Sequence, residues 1–150
     1  MSLSDIFVKQ SIGLNMEAET KKAAFLELID LIMTAHPECN RDEILAAITN
    51  REDKMSTGIG SGIAVPHGYC QSVDAVAGAI GISRAGIDDY GSLDQKPVHV
   101  LFMLVMNDTS REAHLRVLNQ VFTMANSEAI NLIMSAKTTE EVAVILSRFC

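Results

Sequence analysis

An α/β fold, with a sheet covered by helices on both faces, is predicted by three features of this sequence. The run Val98 to Met106, VHVLFMLVM, is almost wholly apolar, as in a strand buried on both sides. Amphipathic helical patterns stand before the apolar strands and after them. The chain has 150 residues, 48% of them apolar, which suits one domain over residues 1–150 that buries about 70% of the surface its unfolded form exposes.

The elements follow in order. After an irregular start, Thr20 caps a helix running to about Ala35, with Phe25, Leu28, Ile29 and Ile32 at helical spacing. Asn40 with Glu43 forms a capping-box-like start for a second helix over 41–52, whose apolar positions are Ile44, Leu45, Ala47 and Ile48. A glycine-rich segment leads into a strand at Ile63 to Val65, and a second strand, AVAGAIGIS, runs from Ala75 to Ser83. Residues 84–97 are rich in turn formers and deliver the chain to the buried strand over 98–105. Three helices complete the chain: 111–125 started by Thr109 with Glu112, 128–136 by Ser127, and 139–149 by Thr138 with Glu141.

Composition narrows the function. A net charge of −7 with scattered Lys and Arg offers no clustered positive field for a phosphate backbone, so no nucleic acid is expected. Three cysteines, at 39, 70 and 150, form no CxxC pair, and no secretory signal opens the chain. A cytoplasmic protein without membrane insertion is the expectation, since the longest apolar run is under half of what spans a bilayer.

The segment TGIGSGIAVPHG, Thr57 to Gly68, concentrates glycines around one histidine. It is not a dinucleotide-binding loop, because its glycines follow a helix and open a strand. It is not a nucleophile elbow either, because Ser61 has Ile59 and Ile63 where glycines would be needed. The histidine itself is the better nucleophile. A neutral imidazole nitrogen carries a free lone pair and can attack phosphorus without a general base. A backbone carbonyl bonded to one ring nitrogen would fix the tautomer and leave the other bare. Glycines would let backbone N–H groups approach an anion, giving Thr57, Gly58, Gly60 and Gly62 a phosphate-supporting role. Pro66 should end the strand and leave His67 at its carboxyl edge. Read alone, a histidine after a proline is as well explained as a loop or core residue.

His114 shares the inward stripe of its helix with Leu118, Val121, Phe122 and Ala125, near the anion-attracting N-terminus. A partly buried polar residue or cap is its structural alternative. His36 and His99 read as structural, His99 as a hydrogen-bonded strand residue. A metal site of His67, Cys70 and His114 is a remote alternative, given the HxxC spacing.

The segments REDKMSTGIGSGIAVPHG (51–68), LDQKPVHVLFMLV (93–105) and REAHLRVLNQVFTMA (111–125) closely resemble the IIA component of the bacterial phosphoenolpyruvate-dependent phosphotransferase system, in its fructose, mannitol and nitrogen-regulatory branch. The resemblance extends from about Leu3 to Phe149. It implies an α/β fold with a mixed central sheet between helical layers, and no cofactor. It implies that His67 accepts a phosphoryl group on Nε2 from phospho-HPr, with His114 and Arg51 stabilising it, as fixed donors do for charge on equatorial oxygens. Arg51 would otherwise read as a solvated cation at a helix end.

Two roles follow from that resemblance: delivery to a cysteine of a IIB protein in sugar uptake, or phosphorylation-dependent binding of a regulatory target. No IIB or membrane component is expected within this chain, so the partners come from solution or another chain. The sequence departs from the common pattern at GYC (68–70) and MNDTS (106–110), which bears on partner surface. Tyr69, Cys70 and Met55 are expected beside the site, within an apolar rim that docks partners, with acidic residues steering a basic carrier.

Overall fold

The computed structural model describes residues 2–107 and 111–149. Among the described residues, the α-helices α1 (Leu3–Ile6), α2 (Lys21–Ala35), α3 (Arg41–Lys54), α4 (Arg111–Ala125), α5 (Ala129–Ser135) and α6 (Thr139–Leu146) accompany a six-stranded sheet. Its strands are β1 (Ile12–Gly13), β2 (Gly58–Gly60), β3 (Ile63–Ala64), β4 (His67–Tyr69), β5 (Val76–Ile87) and β6 (Val98–Met106).

The expected mixed sheet between helical layers is present. β6 sits at its centre, antiparallel to β5 and parallel to both β3 and β4, while β1 joins β5 in parallel and β2 joins β3 antiparallel. Alternation along β6 divides the core in two. Val100, Phe102, Leu104 and Met106 face a layer made by α1, α4, α5 and α6. Val98, Leu101, Met103 and Val105 face α2 and α3. A strand buried on both faces is therefore what the apolar run encodes.

Side-chain caps fix the starts of α2, α3 and α6. Thr20 accepts from the Ala23 N–H at 3.1 Å, Asn40 from Glu43 at 3.0 Å and Thr138 from Glu141 at 3.1 Å. The second half of the expected capping box at α3 is absent, because the Glu43 carboxylate instead accepts from the N–H groups of Gln71 and Ser72 just past β4. Ser127 is displaced by one residue from its expected role: Glu128 is the N-cap of α5, and Ser127 donates to the Met124 carbonyl at 2.7 Å. Thr109 lies outside the described residues. The last helix ends at Leu146, short of the expected 149, where an N–H bond from Ser147 to Ala143 closes it.

The start of the chain, read from sequence as irregular, holds a short helix that packs into the core. Leu3, Ile6 and Phe7 are fully buried, and Phe7 meets Phe102 edge to face at 6.0 Å. A four-residue helix is too short to show periodicity, so only its apolar residues marked it. β5 is also longer than expected, continuing past Ser83 to Ile87 through a register shift.

Candidate functional site

The glycine-rich segment forms a hairpin. β2 and β3 are joined by Ser61 (φ 57°) and Gly62 (φ 79°), with Gly60 also at positive φ (95°), a backbone that glycine adopts without steric cost. Gly58 lets the hairpin lie against the 88–97 loop, because a Cβ there would fall 2.8 Å from Ser92 Cα. The loop is stitched on by bonds from Gly60 N–H to Ser92 Oγ (3.2 Å), Ser61 N–H to Asp94 Oδ2 (2.9 Å) and Leu93 N–H to the Gly58 carbonyl (3.1 Å).

These bonds bear on the expected phosphate-supporting loop. The N–H of Thr57 donates to Glu52, that of Gly58 to Ser56 Oγ and that of Gly60 to Ser92 Oγ. With those donors engaged inside the protein, the N–H groups of Thr57, Gly58 and Gly60 hold the hairpin together, and Gly62 shapes the turn. The hydroxyl of Thr57, itself buried, is bonded to Glu52 and lies 2.8 Å from the Tyr90 hydroxyl.

His67 does not lie beyond the end of a strand, as the proline led us to expect; it opens β4. Pro66 breaks one row without ending it, since β3 and β4 pair with successive stretches of β6 in a single register (Ile63 with Val100, His67 with Leu104) and the Pro66 carbonyl accepts from the Leu104 N–H. Proline lacks only the donor, and its acceptor keeps the row aligned. The His67 ring is half-buried, and its Nδ1–H donates to the Val65 carbonyl at 2.8 Å. That bond leaves Nε2 with the lone pair. Burial is the main cause that lowers the His67 pKa below the ordinary 6.5, and the charge of Arg51 adds to it, against opposing contributions from the Val65 bond and Glu52. Burial and the Arg51 charge both favour the neutral ring.

Arg51 is brought to His67 by close packing of α3 on β4. A Cβ on Gly68 would stand 2.9 Å from the backbone carbon and oxygen of Ala47, so only glycine admits α3 this near. Arg51 follows Ala47 by one helical turn and therefore shares its face. Its Nη1 donates to the Met55 carbonyl at 2.8 Å, holding the guanidinium at the helix end.

His114 is buried on α4, 3% exposed, with its ring centroid 5.2 Å from that of Tyr69. Tyr69 and His67 lie two residues apart on β4 and point to the same face. The Arg111 guanidinium lies 5.8 Å from the centre of the Tyr69 ring. His99 is structural as expected, its Nδ1 2.9 Å from the Ser83 carbonyl.

The remote metal reading fails on geometry. Cys70 Sγ donates to Glu43 Oε1 at 3.0 Å and lies 3.1 Å from Ser72 Oγ, and among the described residues no three His, Cys, Asp or Glu side chains gather to hold an ion. Sequence reasoning also missed a buried group next to the site. Glu52, 7% exposed, pairs with Lys21 Nζ at 2.8 Å and accepts both donors of Thr57. Its only sequence signal was a charge in the last turn of an amphipathic helix.

Fold and site together define an α/β protein that presents a neutral imidazole nitrogen beside a guanidinium. Comparison with known proteins places it further. The family model for the phosphoenolpyruvate-dependent sugar phosphotransferase system, EIIA 2, matches residues 5–149. Over 149 residues the chain is 33% identical to the fructose-specific EIIABC component of Bacillus subtilis, covering 99% of this chain and 23% of that longer protein. It is 30% identical to the fructose-specific EIIA component of Haloferax volcanii, covering 97% and 94% of the two chains. Among solved structures, nitrogen regulatory protein IIA-Ntr from Neisseria meningitidis superposes with a TM-score of 0.88 at 28% identity, covering 96% of this chain and 98% of that one. The chain belongs to the type 2 EIIA family of this system, and is a phosphotransferase component. Among the described residues, no helix is long and apolar enough to cross a membrane.

Proposed function

We propose that the chain is a cytoplasmic histidine phosphocarrier in which Nε2 of His67 accepts a phosphoryl group from phospho-HPr and yields it to a cysteine of a IIB partner. The observation that carries this reading is the bond from Nδ1–H to the Val65 carbonyl, which leaves Nε2 as the only ring nitrogen able to attack. In the transfer, a new bond forms between Nε2 and phosphorus as the bond to the donor's nitrogen breaks, and the electron pair returns to the donor. The proton stays on Nδ1 throughout, donated to the Val65 carbonyl. Positive charge gained by the ring is shared with that carbonyl, and Arg51 offers a fork matched to the phosphoryl oxygens. His114 completes the set from the opposite layer. Delivery to IIB is the same displacement with a thiolate as nucleophile.

The solved complex of Escherichia coli IIA-mannitol with phosphorylated IIB-mannitol has this fold, with a TM-score of 0.78 at 18% identity. Exposed Met55 and Tyr69, 62% and 39% accessible, fit the expected apolar rim for visiting proteins. Fructose-type relatives reach 33% and 30% identity and the nitrogen regulatory protein of Pseudomonas aeruginosa 29%, so transfer to a purified IIB protein is the measurement that separates uptake from a purely regulatory role.

Incubation with Enzyme I, HPr and phosphoenolpyruvate should add one acid-labile phosphate per chain. His67→Ala should abolish it, while Arg51→Ala and His114→Ala should slow transfer by about 10²- to 10³-fold, as loss of one charge-stabilising donor does. Undiminished phosphate on the His67→Ala protein would refute the reading.

A further inference from the structure

We propose that Glu52 is a positioning residue for phosphoryl transfer, acting on His67 through Thr57 and the Val65 peptide and on Arg51 through the last turn of α3. The proposal rests on His67 being the phosphoryl acceptor. It begins from an unbroken chain of hydrogen bonds. Lys21 Nζ meets Glu52 Oε2 at 2.8 Å; that oxygen accepts the Thr57 N–H at 2.8 Å, and Oε1 accepts the Thr57 hydroxyl at 2.5 Å. The Thr57 carbonyl accepts the Val65 N–H at 3.0 Å, and the Val65 carbonyl accepts Nδ1–H of His67 at 2.8 Å. The orientation of the reacting ring is thus referred, bond by bond, to one buried carboxylate.

Further contacts keep that carboxylate in place. The Tyr90 hydroxyl lies 2.8 Å from Thr57 Oγ1 and 3.4 Å from Glu52 Oε1, and its ring is held by Phe25 edge to face at 6.0 Å and by the Lys21 ammonium at 4.5 Å. Glu52 is also the sequence neighbour of Arg51. Locking one residue of a helical turn fixes the direction of the next, about 100° round the axis.

An ion pair built on a buried carboxylate is a poor means of stabilising a fold, because desolvation offsets much of its attraction. What this one supplies is geometry at two reacting partners at once. Lys21 has a second effect: it neutralises Glu52, so the carboxylate can hold the loop without repelling an incoming phosphoryl group.

The test uses Glu52→Gln and Thr57→Val in the full chain. Ring ¹⁵N shifts report the His67 tautomer and its titration in the unphosphorylated protein, and rapid mixing with phospho-HPr reports the transfer rate. The wild type should show the Nδ1–H tautomer. Both variants should show a mixture of tautomers and transfer slowed by about 10- to 100-fold, the scale on which misplacement of about 1 Å acts. A wild-type tautomer and rate in both variants would overturn the proposal. Should Glu52→Gln fail to fold, Thr57→Val decides alone, since it keeps the ion pair and removes one latch. The ring shifts need no phosphorylation, so an error about the acceptor would appear separately, as phosphate retained by His67→Ala.

Discussion

Three local facts fit His67 for the proposed transfer: a carbonyl two residues back that accepts a hydrogen bond from one ring nitrogen, a half-buried position, and the charge of Arg51 acting on the ring. Burial and Arg51 both disfavour the imidazolium, so the attacking form persists to lower pH than in a free histidine. The acidic limb of the transfer rate, followed against pH, should have its midpoint below 6.5. The same shift bears on folding. Because the folded ring binds its proton less readily than the unfolded one, its contribution to stability is complete above 6.5 and is lost as pH falls through the lower folded value. Denaturant midpoints of the wild type should therefore fall more steeply below pH 6.5 than those of His67→Ala. Equal slopes would show that the ring is not desolvated.

The packing of α3 on β4 is a matter of one missing methyl group. Gly68 faces the Ala47 backbone, which cannot move aside as a side-chain tip could. Gly68→Ala should cost roughly 1–3 kcal/mol by overpacking and should slow phosphoryl transfer by drawing Arg51 away from the ring. Measured unfolding together with the transfer rate checks both effects. Stability lost with the rate unchanged would mean that Arg51 acts from a position independent of this contact. Glu43 serves the neighbouring join: from the first turn of α3 it accepts from Cys70, Gln71 and Ser72, tying the helix to the segment after β4.

The sheet carries the site between two cores, and its far side is closed by the first residues of the chain. Leu3, Ile6 and Phe7 pack on the face of β6 that bears Phe102 and Leu104, the latter paired with His67. Phe7→Ala should destabilise the whole protein by about 3–5 kcal/mol, as large-to-small changes at fully buried aromatic positions do. Below its unfolding transition it should leave transfer unchanged, because the ring packs on Phe102 and over Gly78. Calorimetry and a transfer assay on the same preparation separate the two.

Much of this was legible in the residues. Helical spacing at Phe25, Leu28, Ile29 and Ile32, caps at Thr20, Asn40 and Thr138, and the apolar run of β6 determined the elements, because each signal acts within a few residues of chain. The PHG motif and its glycines singled out His67, the proposed acceptor, for the same reason. Tertiary structure decided what depends on distant partners: that the row through Pro66 continues in register along β6, that the Glu43 carboxylate serves the end of β4 instead of the cap of α3, and that the N–H groups of the glycine hairpin are engaged by Ser56, Ser92 and Glu52. It also decided that the carboxylate of Glu52 is buried against Lys21, Thr57 and Tyr90. A charge in a helix carries no local sign of burial, since its cost is set by partners that the sequence leaves 5 to 38 positions away.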